Sequence, residues 1–453
     1  MINMTRTKTK MPEQDPQVRA KNFDEVTTGY TEEMAIHEAM RCLKCRKHPC
    51  MTEGCPVHNH IPDFIAKITE GQFEEAYQIL KQTTTLPAVC GRVCPQYLQC
   101  EGSCVRAKKG QPVAIGALER FVADWHRNHK DKDAPRDITL NGYKVAVIGS
   151  GPASITCAGD LADLGYEITI FEKEEVLGGV LAYGIPEFRL PKEILELEVY
   201  SLKTKGVHFE TGKALGKDFT LNDLLEKQGF NAVFIGNGAG KPMKLAIPGA
   251  ELDGVVSAAD YLSKINLENK LPESKKIAII GGGNVAMDAC RAAMRGPKAE
   301  KVYVIYRRSI AEMPADPSEV KEAMDEGIEF MYLTGPLEVI GENGKVTGLK
   351  CQKMFLSDPD ESGRRSPVPV KDSEFVLDVD CIIEAIGNRS DNDCADGVKT
   401  SEGKGYIIVD DETYATSLKG VYAGGDTVTG PKTVISAMGA GKKAAIAIAE
   451  YLK

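Results

Sequence analysis

The sequence predicts an α/β protein in which a cysteine-rich helical domain precedes two doubly wound layers, one inserted into the other. Two observations carry that expectation. First, the apolar run Val145-Ala146-Val147-Ile148 closes on Gly149-Ser150-Gly151-Pro152-Ala153-Ser154, and Ile277-Ala278-Ile279-Ile280 closes on Gly281-Gly282-Gly283-Asn284-Val285-Ala286. Each is followed by a stretch of small residues and a second apolar run, Glu167–Phe171 and Lys301–Tyr306. An apolar run, a glycine turn, a small-residue helix and another apolar run make one parallel βαβ unit of the Rossmann type. Second, eight of the 13 cysteines fall between Cys42 and Cys104. The length of 453 residues suits about three domains at about 150 residues each. The expected division is 1–135 for the helical domain, 140–245 for the first part of the first nucleotide-binding domain, 246–379 for the second, and 380–453 for the return to the first.

Residues 1 to about 20 are polar and read as an extended arm. Thr31-Glu32-Glu33 opens an amphipathic stretch that runs into Cys42, since Thr is a good helix cap and Glu suits a first turn. Phe64, Ile65, Ile68, Phe73, Ala76, Tyr77 and Leu80 predict two helices broken at Gly71. Residues 130–143 are charged and read as a linker. Between 343 and 385, β-rich runs such as Phe375 to Leu377 and Cys381 to Ile383 predict antiparallel strands leading back to a sheet, and Ala437 to Leu452 predicts a helix. The formal net charge of −9 argues against nucleic acid or an anionic membrane as the main partner. No apolar run reaches the ~18 residues of a spanning helix, and the first residues lack the apolar core of a secretory signal. The expected location is the cytoplasm, where clustered cysteines serve as metal ligands or redox groups rather than disulfides.

The first glycine of each turn makes the sharp bend, and the second lets the backbone approach a pyrophosphate at a helix N-terminus. Ser154 stands where the third glycine is usual, and serine is small enough to keep helix and strand close. The two second strands end differently. Glu172 offers a carboxylate to a ribose and repels a 2′-phosphate, so the first unit suits FAD or NAD. Arg307 and Arg308 offer planar forks to a 2′-phosphate, so the second suits NADP(H). The cysteines are spaced Cys42-x2-Cys45-x4-Cys50-x4-Cys55 and Cys90-x3-Cys94-x5-Cys100-x3-Cys104, with proline after Cys55 and Cys94. Eight thiolates could hold two four-iron clusters. Two zinc sites are the alternative, although zinc sites usually pair their cysteines as C-x2-C. His48, His58 and His60 read as loop or capping residues, and Trp125 as packing. Cys157, Cys290, Cys351, Cys381 and Cys394 are assigned no chemistry. A disulfide reductase would need a Cys-x-x-Cys in the second nucleotide domain, where Cys290 stands alone.

The order of cysteine-rich domain, Gly-Ser-Gly-Pro-Ala-Ser, Tyr183-Gly184-Ile185-Pro186-Glu187-Phe188-Arg189-Leu190-Pro191, Gly-Gly-Gly-Asn-Val-Ala-Met-Asp, Tyr-Arg-Arg-Ser and Gly424-Gly425-Asp426 resembles the small subunit of NADPH-dependent glutamate synthase. It is equally similar to the large subunit of the bifurcating NADH-dependent ferredoxin:NADP oxidoreductase, and more distantly to the amino-terminal half of dihydropyrimidine dehydrogenase. The resemblance implies FAD, NADPH and two [4Fe–4S] clusters. It implies one cluster on Cys42, Cys45, Cys50 and Cys104, and a second on Cys55, Cys94 and Cys100 with Glu119 as fourth ligand, leaving Cys90 beside it. For FAD it implies Gly149, Ser150, Gly151, Pro152, Ala153 and Ser154, then Glu172, Lys173, Gly178, Gly179, Arg189, Gly425, Asp426 and Thr433. For NADPH it implies Gly282, Gly283, Asn284, Val285, Arg307 and Arg308, with Ala385-Ile386-Gly387 returning the chain to the FAD domain. No protein acid or base is implied, because hydride passes between the cofactors. Electrons would leave through the clusters to a second redox subunit in a hetero-oligomer. That partner is either the FMN-bearing glutamate synthase large subunit, or a small flavin subunit plus ferredoxin. The start of the chain, Met-Ile-Asn, offers no processed cysteine for glutamine hydrolysis, so glutamate synthesis would fall to another chain.

Overall fold

The computed structural model describes residues 2–129, 137–271, 273–361 and 363–453. The first half of the expected linker at 130–143, residues 130–136, lies outside them. The cysteine-rich region is helical, as its pattern predicts. Thr31 caps the helix Glu32–Ala39 by accepting a hydrogen bond from Met34 N. The helices Ile61–Thr69 and Phe73–Lys81 are separated at Gly71, whose φ of +73° is in the left-handed region that favours glycine. Pro87–Val93 packs on the long helix Ile115–His129. They meet at Gly91, where a Cβ would lie 2.5 Å from Arg120 N, so glycine alone permits the approach that brings Cys90 and Cys94 toward Glu119.

Two five-stranded sheets follow, both fully parallel. The first runs Val421–Ala423, Ala232–Ile235, Lys144–Ile148, Glu167–Phe171, His208–Glu210. The second runs Val255–Ser257, Cys381–Glu384, Lys276–Ile280, Lys301–Tyr306, Glu329–Tyr332. The central strands are buried along nearly their whole length, as parallel strands covered on both faces must be. The C-terminal helix Val434–Tyr451 lies along Pro152–Asp163, and at Gly441 any side chain would strike the carbonyl of Ala153.

Three expectations need correction. Lys345–Pro359 and Arg365–Leu377 are antiparallel, in a separate three-stranded sheet, but Cys381–Glu384 pairs in parallel inside the second sheet. The return to the first domain therefore falls after Glu384 rather than at 380. It passes through Asn388–Arg389, which pairs with the outgoing Lys241–Pro242. Four consecutive buried residues, Cys-Ile-Ile-Glu, carry no mark in their sequence of which neighbours they pair with. The N-terminal arm is also not simply extended. Asp15 caps a short turn, Pro16–Arg19, and the Arg19 side chain is buried with its Nε 3.0 Å from Glu326 Oε1. Val26 N donates to Phe188 O, and Arg295 Nε donates to Asn22 O, so the arm clasps both nucleotide-binding domains.

Candidate functional site

Gly149 has a φ of +84°, and a Cβ there would lie 2.7 Å from Gly236 O. Gly151 is the N-cap of Pro152–Asp163, uses no side chain to cap it, and has nothing within 4 Å of where its Cβ would be. Unsatisfied helix N–H groups beside open space are what a phosphate requires. Ser154 is fully buried. Its hydroxyl donates toward the carbonyls of Ile148 and Gly236, and it fits because Gly236 opposite has no side chain. Glu172 is buried at the end of its strand. Its Oε2 accepts from Ser150 N at 2.8 Å and from Ser150 Oγ at 2.6 Å, while Oε1 accepts from Glu174 N. Ser150 Oγ in turn accepts from Gly178 N, and Gly179 stands over Gly151. Gly425, at φ +80°, lies close to Ala153, whose Cβ would be 3.0 Å from a Cβ built there. Burial lifts the Asp426 carboxyl to about 6, while its Oδ1 accepts from Lys432 N. Thr433 caps the C-terminal helix. Lys173 is exposed beside Glu174.

Two residues of this cradle escaped sequence reasoning. Tyr183 has its hydroxyl pushed up to about 12, first by burial and then by the charges of Glu172, Glu174 and Asp426. Asn237 follows the strand Ala232–Ile235 and has a buried Oδ1 without a partner among the described residues. The run Gly236-Asn237-Gly238-Ala239-Gly240 after an apolar strand was the available signal. Arg189 is committed elsewhere. Its NH1 donates to both Asp288 oxygens, at 2.8 and 2.9 Å, and its Nε lies 2.8 Å from Glu319 Oε1. Burial opposes its charge, but those carboxylates raise its pKa on balance. It links the Pro186–Pro191 segment to the second domain, which the apolar and charged residues around it in the sequence do not reveal.

In the second unit, Gly281 (φ +148°) lies against the Ala385 carbonyl, and Gly282 against the ring of Tyr306. Gly283 caps Asn284–Met294 without a side-chain cap and, like Gly151, has open space at its Cβ position. Val285 is exposed. Asn284 Oδ1 accepts from Asp316 N, and Gly282 O from Ala315 N, so the segment around Ala315 borders the turn. Arg307 is exposed and unpaired among the described residues, and Arg308 donates through Nε to Arg365 O. Ile386 borders the antiparallel sheet's core, and Gly387 O accepts from Met243 N at the crossing between domains.

The cysteines separate into two groups. Cys42, Cys45, Cys50 and Cys104 line one cavity whose other walls include Ile61, Ile65, Val113 and Ile115. Burial pushes the Cys50 thiol up to about 12, with Cys104, Cys42 and Cys45 adding to the shift. Cys55, Cys94, Cys100 and Glu119 form the other group. Burial raises Cys55 to about 11, with further contributions from Glu119 and Cys90, and lifts Glu119 to about 8, assisted by Glu198. Glu119 is buried and accepts from Asn59 Nδ2 at 3.3 Å. Cys90 is also buried here, 3.9 Å from Thr84 Oγ1 and 3.5 Å from Met438 Sδ. Among the described residues, no three His, Cys, Asp or Glu side chains close around a single metal ion. All 13 cysteines are free of disulfides. Each group brings together thiols, joined in the second by a buried carboxyl, of the kind that a positively charged metal centre would hold.

Residues 19–131 match the family described as dihydropyrimidine dehydrogenase domain II, 4Fe-4S cluster, and residues 143–441 match the pyridine nucleotide-disulphide oxidoreductase family. The small chain of NADPH glutamate synthase from Azospirillum brasilense is 34% identical over 474 residues, covering 100% of this chain and 96% of that one. The Escherichia coli small chain is 35% identical, covering 98% and 96%. The chain belongs to the glutamate synthase small-chain family. It is an oxidoreductase of the FAD-, NADP(H)- and [4Fe–4S]-dependent kind. The β subunit of the NADP+-dependent formate dehydrogenase of Moorella thermoacetica is 39% identical over 430 residues, but this chain spans only 60% of that protein's length. Mycobacterium tuberculosis FprA in complex with NADPH, at 20% identity and a TM-score of 0.59, covers 68% of this chain and 84% of that one. T. acidophilum thioredoxin reductase has 23% identity and a TM-score of 0.52, over 68% of this chain and 98% of that one. Both share the fold. Among the described residues no helix is long and apolar enough to cross a membrane.

Proposed function

We propose that this chain oxidises NADPH and delivers the electrons, through FAD and two [4Fe–4S] clusters, to a second redox subunit in the cytoplasm. The observation that carries the reading is the pairing of two distinct glycine turns with two separate groups of cysteines in one chain. When bound, FAD accepts a hydride from NADPH and releases electrons singly to iron–sulfur centres. The chain's own residues bind and orient. Ser150 to Ser154, Gly178, Gly179 and Glu172 hold the FAD adenosine and pyrophosphate, and Gly425, Asp426 and Thr433 flank the remainder. Gly282 to Val285 receive the NADPH pyrophosphate, and Arg307 and Arg308 its 2′-phosphate. Cys42, Cys45, Cys50 and Cys104 hold one cluster. Cys55, Cys94, Cys100 and Glu119 hold the other, with Cys90 packed beside it.

The match to 96% of the length of glutamate synthase small chains supports an FMN-bearing large subunit as the partner. The protein isolated anaerobically should contain about eight irons and one FAD, and bleach on adding NADPH. Zinc in place of iron, or no flavin after reconstitution, would overturn the reading. Glu119→Ala should alter one of two cluster signals in the electron paramagnetic resonance spectrum and spare the other. An unchanged spectrum would move the ligand role to Cys90.

A further inference from the structure

The antiparallel sheet Thr334–Glu342, Lys345–Pro359, Arg365–Leu377 packs against the second nucleotide-binding domain and carries none of the glycine turns or cysteine groups. One part of it returns to the arginine-ended strand. Leu333 N, just before the sheet, donates to Arg308 O at 3.0 Å, and Met354 N donates to Leu333 O at 2.8 Å. Arg308 Nε donates to Arg365 O at 3.1 Å, across 57 positions of sequence. Arg365 pairs with Pro359 and so opens the last strand at the end of its hairpin. Its guanidinium is steered from two sides: Nε donates to Ser357 O at 3.2 Å, and NH1 lies 3.9 Å from Glu312 Oε1. Glu312 is itself fixed, because its Oε2 accepts from Ser309 N and Ser309 Oγ in a capping box. The Arg365 side chain remains 46% exposed, open to a ligand. A third arginine thus borders the strand end that carries Arg307 and Arg308.

We infer that Arg365 is a specificity-determining residue for NADP(H), a third guanidinium that the antiparallel sheet delivers to the 2′-phosphate. The inference rests on the proposed function, which assigns Arg307 and Arg308 to that phosphate. A phosphate monoester carries a charge of about −1.5 to −2 at neutral pH and offers three strong acceptor oxygens. Two arginines on adjacent positions of one strand end approach it from one element. Arg308 has also spent its Nε on a protein carbonyl, which leaves it a single edge to offer. Arg365 comes from a different element and supplies donors that the strand end lacks. Its planar fork suits phosphate oxygens, and its charge adds to the local field. NAD(H) has a neutral hydroxyl at that position and gains nothing from the third cation. The partial exposure of Arg365 means that the contribution is modest and weakened by salt.

The test titrates the cofactor-loaded full chain by calorimetry with adenosine 2′,5′-bisphosphate, which carries the 2′-phosphate without a nicotinamide, and with AMP, which lacks it. Arg365→Ala keeps the carbonyl that holds Arg308, so its effect reports the guanidinium alone. It should weaken bisphosphate binding by about 5- to 10-fold at low salt and change AMP binding by less than about 2-fold. Arg365→Lys should recover part of the loss, because the charge returns without the fork. The KM for NADPH should rise by a similar factor with kcat unchanged. Lys371→Ala, an exposed cation farther along the same strand, should alter none of these. Bisphosphate binding unchanged in Arg365→Ala but lost in Arg307→Ala with Arg308→Ala would overturn the role of Arg365 and leave the 2′-phosphate site standing. Equal loss of AMP and bisphosphate in Arg365→Ala would overturn it as well, since the residue would then only shape the domain. Bisphosphate bound no more tightly than AMP by the unsubstituted chain would instead overturn the assignment of Arg307 and Arg308.

Discussion

The two glycine turns begin alike and end in opposite ways. At the first, the strand-end carboxylate of Glu172 is buried and already accepts three hydrogen bonds, two of them from Ser150. Gly178, Gly179, Gly425 and the C-terminal helix close over it. At the second, Arg307 stands exposed and unpaired among the described residues, and the segment around Ala315 borders only one side. A cradle held in shape by its own buried bonds suits a resident cofactor. An open edge with a free guanidinium suits a dinucleotide that comes and goes. The same βαβ unit thus yields permanence or exchange according to what the end of its second strand does.

The largest expected effect is at the closed cradle. Glu172→Ala removes a buried charged acceptor and frees the Ser150 loop. FAD affinity should fall about 100-fold, from a loss of ~3 kcal/mol. The retained flavin absorbance after gel filtration measures this, and full retention would break the contrast. Next is the open edge. Arg307→Ala with Arg308→Ala should raise the KM for NADPH about 30-fold while changing that for NADH by less than about 3-fold. Equal losses would refute a 2′-phosphate contact. Gly283→Ala comes third. Its Cβ meets nothing in the protein, so melting should be unchanged, but NADPH should bind about 10-fold more weakly because the methyl enters the space expected for the pyrophosphate. Smallest is Ser154→Gly, which removes a buried hydroxyl donating toward two carbonyls and should cost about 1 kcal/mol of stability in denaturant unfolding.

The parallel sheets and their turns were legible in the sequence because a continuous apolar run ending in glycines has few other structural uses. The division of the cysteines was not legible from spacing, which presents two runs of four. The structure instead groups Cys104 with Cys42, Cys45 and Cys50, and sets Cys55 beside Cys94, Cys100 and Glu119. That regrouping depends on how Pro87–Val93 crosses Ile115–His129, a long-range contact permitted by Gly91. Arg189 shows the same limit. Nothing in Pro-Glu-Phe-Arg-Leu-Pro indicates that its arginine will meet Asp288, a residue of the other nucleotide-binding domain. Tyr183 and Asn237 were not singled out, although Tyr183 opens the Tyr183–Pro191 segment and Asn237 stands in a glycine-rich run after an apolar strand.

Stopped-flow reduction of the flavin in the unsubstituted chain, with NADPH and NADH compared at 450 nm, tests the contrast between the two turns most directly. A resident FAD beside an arginine-ended turn predicts that flavin survives gel filtration and that NADPH bleaches it with an efficiency at least about 100-fold above that of NADH. Comparable efficiencies for the two, or flavin lost on the column, would contradict it.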